Sequence, residues 1–204
     1  WSSDVCSSDL IPGMAAAVVG DTDVLWTQAF GQRDIGISDA TRTDTPFQFD
    51  GLTELVTTAM LLQCVDQGRL RLDAHLSDYA PKSATPGDTI ANVLSHTSGA
   101  PGSLTFSYNT ARQEILKFPV ETCMGMTFRQ AYTKTLQRLG MMDSVPGPDA
   151  ALPELSNADV ASPADAARYR GILRRLATPY TVDAQNVATS TIYGVKSQIG
   201  RAHV

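Results

Sequence analysis

The pattern of apolar and polar positions predicts an opening β-hairpin followed by a buried helix. A run of Ala and Val residues covers 14–19, a polar turn covers 20–23, and alternating character resumes over 24–30. Two such runs joined by a short turn rich in Gly and Asp are typical of paired antiparallel strands. Over 52–67, apolar residues occupy almost every face at helical spacing. This helix is therefore expected to be the most buried one.

Local signals mark the ends of the predicted helices. Asp50 is the expected N-cap of the buried helix, and Gly68 stands where a left-handed residue would end it. Two further helical patterns run over 128–139 and 164–176. The first is followed by a glycine and the second is preceded by a Ser-Pro pair, which are ordinary stop and start signals. The hairpin is thus expected to precede a mainly helical section.

Composition and charge argue against several classes of protein. The 204 residues are 43% hydrophobic with a formal net charge of −5, so the chain has a core but no basic stripe for nucleic acid. No apolar run approaches the roughly 18 residues of a membrane span. The few histidines are scattered, so neither a metal nor another cofactor is expected. Cys64 and Cys123 are interpreted as buried free thiols.

The two ends of the chain have the character of foreign sequence. Residues 4–10 can be encoded by a DNA string whose reverse complement encodes 198–204, and seven consecutive pairings are hard to obtain by chance. The string also resembles a sequencing-library adapter. Segments 1–10 and 198–204 are therefore expected to be adapter-derived, and 11–197 to be part of a longer domain.

Several short segments occur in a fixed order with almost no gaps. They are Ile-Pro-Gly-Met at 11–14, Phe-Gly-Gln-Arg-Asp at 30–34, Asp-Thr-Pro-Phe at 44–47, the helix end at 63–73, Val-Leu-Ser-His-Thr-Ser-Gly at 93–99 and Ser-Pro-Ala-Asp at 162–165. This series resembles the serine β-lactamase and penicillin-binding-protein superfamily. The closest likeness is to its branch of class C β-lactamases, D-alanyl-D-alanine peptidases and esterases.

The resemblance implies an α/β (α+β) fold of the β-lactamase/transpeptidase type. An antiparallel sheet flanked by helices would stand beside a helical subdomain, with the active site between them. The late strands that complete such a sheet, and the Lys-Thr-Gly or His-x-Gly motif on one of them, would lie beyond residue 197. They are expected to be missing from this chain.

The family's chemistry starts in a Ser-x-x-Lys motif at the N-terminus of the buried helix. The spacing sets the lysine amine over the serine hydroxyl, so that it can take the proton. Counting without gaps from Phe47 and back from Gly68 places the serine position at Gly51 and the lysine position at Glu54. Gly51 has no side chain to attack a carbonyl, and Glu54 replaces an amine by an acceptor. The resemblance therefore implies a chain without its nucleophile.

The family's second motif, Tyr-x-Asn, corresponds to residues 108–110. Tyr108 is the only catalytic position that is retained. Thr110 stands at the asparagine position unless one residue has been deleted, in which case Asn109 takes that place. Asn109 and Thr110 are therefore the candidate substrate-binding residues.

Other interpretations of these residues stay open. Thr53 is a candidate displaced nucleophile with Glu54 as its base, although a shift of two residues turns a helical side chain by about 200°. Glu54 also fits ordinary charge complementarity in a first helical turn. His96 follows Ser95 directly, and because adjacent residues do not face each other, it is interpreted as structural.

Two functions follow from these alternatives. The first is a non-catalytic relative that binds a small-molecule, peptide or acyl ligand in the former active-site cleft. The second is a working serine hydrolase of β-lactamase, D-Ala-D-Ala carboxypeptidase or esterase type, in which Gly51 and Glu54 are sequence errors or the nucleophile has moved. Two changes at the two essential positions, with the frame intact around them, favour the first.

Overall fold

The computed structural model describes residues 11–83, 85–98, 104–147, 162–185 and 187–190. Five strands are present in this part of the chain: β1 Gly13–Val19, β2 Val24–Asp34, β3 Asp39–Ala40, β4 Tyr180–Val182 and β5 Ala188–Ser190. Five α-helices are present in it: α1 Thr53–Asp66, α2 Ile90–Leu94, α3 Lys117–Met124, α4 Phe128–Arg138 and α5 Pro163–Leu173. One sheet has the order β1-β2-β3, and β4 pairs with β5.

The opening hairpin is confirmed. Strands β1 and β2 pair antiparallel, with Met14 opposite Phe30 and Val18 opposite Trp26. The Gly20 N–H closes the turn by donating to the Asp23 carbonyl oxygen over 2.8 Å. Within the described residues β1 forms an edge of the sheet, and apolar side chains near the turn are exposed: Val18, Val19, Val24, Leu25 and Trp26.

The buried helix begins differently from the prediction and ends as predicted. Asp50 is not the N-cap, because a 3₁₀ turn over Asp50–Leu52 precedes α1 and Leu52 is the capping position, without a side-chain cap bond. At the other end Gly68 has φ +68°, and its N–H donates to the Val65 carbonyl oxygen. The Arg69 N–H donates to the Cys64 carbonyl oxygen. These two bonds form a Schellman motif.

Burial of α1 is one-sided. Its fully buried side chains include Met60, Leu61 and Cys64, which pack in the main core with α3 and α4. Leu52, Leu55 and Leu62 are exposed, so the apolar surface of α1 is wider than its buried face. Helix α1 buries six side chains and α4 buries five. Among the described helices α1 therefore has the most buried side chains, but only by one.

The expectation of free thiols is wrong. Cys64 on α1 and Cys123 on α3 form a disulfide, with their Cα atoms 6.3 Å apart. The two positions are 59 residues apart in sequence. They meet because α1 packs against α3, and spacing along the chain does not reveal that contact.

The two later helices follow their local signals. Helix α4 begins with a capping box between Thr127 and Gln130, and Gly140 after its end has φ +72°. Ser162 caps α5 by accepting from the Asp165 N–H over 3.1 Å. Helix α5 ends at Leu173, three residues before the predicted boundary.

Two further predictions concern membranes and the chain ends. Among the described residues, no helix combines the length and apolar character needed to cross a bilayer. Segments 1–10 and 198–204 lie outside the described residues. Their expected adapter origin, and the expected division at 11–197, stay predictions.

Candidate functional site

The turn before α1 brings Gly51 against the loop that contains Tyr108. A β-carbon built on Gly51 would lie 2.5 Å from the Tyr108 hydroxyl oxygen and 3.8 Å from Cγ2 of Thr110. Three residues singled out from the sequence therefore lie together. The Tyr108 hydroxyl occupies the space that a side chain at position 51 would need. Tyr108 is 61% exposed, so its ring has room to turn.

Glu54 lies one turn further along the helix and has partners of its own. Its Oε2 atom is 3.3 Å from Nε2 of His96 and accepts a hydrogen bond of 3.2 Å from Nε2 of Gln113. The side chains of Glu54 and His96 are only 15% and 12% exposed. The Oε1 atom of Glu54 is buried and has no hydrogen-bond partner among the described residues. The carboxylate is therefore part of a polar cluster under the loop.

His96 holds this cluster against the loop. Its Nδ1 atom accepts from the Asn109 N–H at 3.4 Å. The two ring nitrogens therefore contact two different segments, Nδ1 the loop at Asn109 and Nε2 the first turn of α1 at Glu54. The His96 ring centroid is 4.7 Å from that of Tyr108 and 5.6 Å from that of Phe106. His96 thus packs against the rings of Tyr108 and Phe106.

Ser95 and His96 have separate partners, as expected for neighbours in a chain. The Ser95 hydroxyl donates to the Ala91 carbonyl oxygen over 2.8 Å and lies 2.9 Å from the Thr97 hydroxyl. It makes no contact with the imidazole that would form a nucleophile–base pair. His96 has φ +55°, a left-handed conformation uncommon for a residue with a side chain. This turn directs its ring towards Glu54.

Asn109 and Thr110 have different environments. The Asn109 side chain accepts from the Ala111 N–H over 3.0 Å and caps the 3₁₀ helix Thr110–Leu116. Its carboxamide oxygen is therefore engaged locally. Thr110 is exposed beside Gly51. Of the two candidate substrate-binding residues, Thr110 is the one that faces the Gly51 position.

Thr53 does not have the exposure that a nucleophile needs. Its relative exposure is 0%. The adjacent positions Gly51 and Leu52 are partly or largely exposed, so the surface of the site lies on the other side of the turn. A side chain with no exposed surface is not accessible to a substrate.

Gln113 is the member of the cluster that the sequence reasoning missed. It is 4% exposed and stands between Arg112 and Glu114 in the 3₁₀ helix. Its partner Glu54 is 59 residues away. Its two charged neighbours give no sign that the side chain is buried, so no local signal points to the contact with Glu54.

Around Gly51 the structure brings together an exposed tyrosine and an exposed threonine, and residue 51 itself has no side chain. The nearby carboxylate of Glu54 contacts His96 and accepts a hydrogen bond from Gln113. Within the described part of the chain, no group of three or more His, Cys, Asp or Glu side chains is placed to hold a metal ion.

Comparison with known proteins identifies the family. The Beta-lactamase family model matches residues 7–189. The chain therefore belongs to the β-lactamase family, as the resemblance predicted. The α+β fold of β-lactamase/transpeptidase type is confirmed by the similar solved structures.

Relatives in sequence include a penicillin-binding protein and a peptidase. The chain is 34% identical over 119 residues to penicillin-binding protein 4 of Amycolatopsis lactamdurans, which is 55% of this chain and 31% of that protein. It is 32% identical over 96 residues to the D-alanyl-D-alanine-carboxypeptidase/endopeptidase AmpH of Escherichia coli K12, which is 44% of this chain and 24% of that protein. The matched region thus spans less than a third of either relative.

Relatives in structure share the fold at low identity. The octameric penicillin-binding protein homologue from Pyrococcus abyssi superposes with a TM-score of 0.75 at 16% identity, over 98% of this chain and 51% of that one. A class C β-lactamase from Rhodobacter sphaeroides gives 0.71 at 17% identity, over 98% and 59%. The chain therefore spans little more than half of these solved chains.

Proposed function

We propose that this chain is a non-catalytic member of the β-lactamase family that binds a peptide or acyl ligand in the cleft formed by Gly51, Tyr108 and Thr110. The observation that supports the proposal is the environment of Gly51. The Tyr108 hydroxyl oxygen lies 2.5 Å from the position of a β-carbon on residue 51, which is too close for a side chain there without movement of the tyrosine. No oxygen of residue 51 is available for acylation.

The neighbouring groups argue in the same direction. Covalent acyl transfer needs a hydroxyl activated by a base and donors for the developing oxyanion. Glu54 is held by His96 and Gln113, and as an anion it would oppose a developing negative charge. Thr53, the alternative nucleophile, is fully buried.

Ligand binding is supported by what the cleft retains. Tyr108 and Thr110 are exposed residues beside a glycine, so both side chains lie at a surface that a bound chain could reach. The names of two relatives refer to penicillin binding and to D-alanyl-D-alanine peptides. From those names we propose a peptide or acyl ligand for this chain, but not the reaction that the second name states.

The test separates covalent from reversible binding. The 204-residue protein is incubated with a fluorescent penicillin and, separately, titrated with a D-alanyl-D-alanine-ending peptide. We expect no covalent label, and saturable peptide binding that Tyr108→Ala weakens while Trp26→Ala on β2 leaves it unchanged. A covalent adduct on the unaltered protein would contradict the loss of catalysis. Absence of saturable peptide binding would contradict the ligand.

The second candidate function is an active serine hydrolase of the same family. Retention of Tyr108 directly opposite position 51 favours it, because this residue belongs to the family's proton-transfer motif. Resequencing the locus through both ends decides between the two. Serine and lysine codons at positions 51 and 54 would establish the second function in place of the first.

A further inference from the structure

A pocket separate from the Gly51 cleft lies between the 3₁₀ helix Thr110–Leu116, the start of α3 and the loop around Ser83. Its volume is about 450 Å³, within the usual range for small-molecule sites. The pocket shares no described lining residue with the Gly51 cluster. Its walls combine apolar side chains such as Ile115 and Phe118 with several hydrogen-bond donors.

Two cationic side chains, Arg112 and Lys117, line this pocket. Among the described residues, neither Arg112 nor Lys117 forms an ion pair. The Lys117 ammonium lies 4.9 Å from the centroid of the Phe118 ring. Glu114 is the single acidic residue among the described lining residues, so they carry an excess of positive charge. Such an excess stands out in a chain with a net charge of −5.

The guanidinium of Arg112 is positioned by buried groups. Its Nη1 atom donates to the Ser98 carbonyl oxygen. Ser98 is itself buried, and its hydroxyl donates to the buried carboxylate of Asp88. An arginine fixed at one nitrogen keeps its other N–H donors for a planar anion, since the guanidinium has five donors and no acceptor.

Two hydroxyl side chains, Ser83 and Thr85, are also among the lining residues. Ser83 Oγ accepts from the Thr85 N–H over 3.2 Å, which leaves the hydroxyl proton of Ser83 available to donate. Thr85 contributes a second hydroxyl to the lining. The cationic and hydroxyl side chains are all hydrogen-bond donors. They therefore favour a ligand that carries hydrogen-bond acceptors.

We propose that this pocket binds a small organic anion, with a carboxylate or phosphate head at Arg112 and Lys117 and an apolar body against Phe118. Charge-assisted bonds from the guanidinium and ammonium fix the head. Phe118 and the aliphatic side chains of the lining, such as Ile115, contact the apolar part of the ligand. This site does not depend on ligand binding at Gly51.

Calorimetric titration of the 204-residue protein at low ionic strength tests the proposal. The probes are benzoate, phenyl phosphate and, as the uncharged analogue, benzyl alcohol. We expect at least one anion to bind and the alcohol not to bind. The tighter anion identifies the head group as carboxylate or phosphate. No binding of either anion up to about 10 mM would overturn the proposal, as would equal binding of the alcohol.

Variants with opposite expected signs separate a specific site from a general charge effect. Arg112→Gln and Lys117→Gln should each weaken anion binding about tenfold, and Glu114→Gln should strengthen it several-fold. Lys134→Gln at an exposed position of α4 and Tyr108→Ala beside Gly51 should leave it unchanged. Lys117→Gln decides the matter if Arg112→Gln does not fold. Equal weakening by Lys134→Gln and Lys117→Gln would overturn the proposal.

Discussion

The Nε2 atom of His96 lies 3.3 Å from Oε2 of Glu54 and joins the loop after α2 to the first turn of α1. Gln113 donates to the same carboxylate oxygen. The family resemblance predicts that Glu54 occupies the position of the motif lysine, which would reverse the charge there. The carboxylate contacts His96 and Gln113, and the His96 ring packs against the ring of Tyr108.

Glu54→Lys should destabilise the protein by about 1–3 kcal/mol. The ammonium would face the Nε2 atoms of His96 and Gln113, and it has no acceptor to offer them. Urea denaturation measures the change. Glu54→Gln keeps an acceptor oxygen and should lose less. Asp66→Lys at the exposed end of α1 should be neutral or slightly stabilising, because a cation suits a helix C-terminus. Unchanged stability of Glu54→Lys would show that the cluster contributes nothing.

Restoring the nucleophile alone should not restore acylation. In Gly51→Ser the hydroxyl has a carboxylate one turn away and no lysine, so a fluorophosphonate probe should leave it unlabelled. The double variant Gly51→Ser/Glu54→Lys should label slowly, provided that Tyr108 turns away from the new side chain. In-gel fluorescence and mass spectrometry measure the adduct and its position. An adduct at Thr53, or on the unaltered chain, would contradict the proposed loss of catalysis.

The parts of the fold that the sequence predicted depend on local chemistry. The hairpin follows from alternating runs around the turn closed by Gly20 and Asp23, and the ends of α1 and α4 follow from glycines that adopt positive φ. The prediction at Asp50 was wrong because it assumed that the helix begins as an α-helix. The chain instead makes a 3₁₀ turn first, and propensity does not distinguish these two starts.

The parts that the sequence did not predict depend on contacts between distant segments. Cys64 and Cys123 meet only because two helices pack, and the same holds for Glu54 and Gln113. The sequence did identify Gly51, Tyr108 and Thr110 as candidates, through a family pattern. It did not show that Asn109 is a cap or that His96 contacts Glu54.

Reduction of the Cys64–Cys123 disulfide should destabilise the protein. The disulfide joins residues that are 59 positions apart in sequence. For a loop of this length, the chain-entropy relation gives a stabilisation of about 4 kcal/mol. Urea denaturation with and without dithiothreitol measures the difference. The Cys64→Ala/Cys123→Ala variant should be insensitive to the reductant, which controls for effects elsewhere. Identical midpoints for the oxidised and reduced parent protein would contradict the prediction.

Two buried tyrosines form a matched pair for testing hydroxyl burial. Burial raises the pKa of Tyr132, and its hydroxyl has no hydrogen-bond partner among the described residues. Tyr132→Phe should therefore leave stability unchanged or raise it by about 1 kcal/mol. The Tyr169 hydroxyl is 2.5 Å from that of Thr133, so Tyr169→Phe should cost about 1 kcal/mol. Thermal and urea unfolding of both variants test this. Equal effects would show that the contact with Thr133 has no influence.

The exposed hairpin should make this chain associate with itself when it is expressed alone. Strand β1 is an edge of the described sheet, and an unpaired edge beside exposed apolar side chains is a template for strand pairing. Val19→Lys and Leu25→Lys place charges on two residues that are each 68% exposed. These changes should raise the monomer fraction seen by size-exclusion chromatography with light scattering. Ile37→Lys is the control, because Ile37 is 72% exposed but lies in a turn. A sharp cooperative melt from a soluble monomer of the unaltered chain would contradict the prediction.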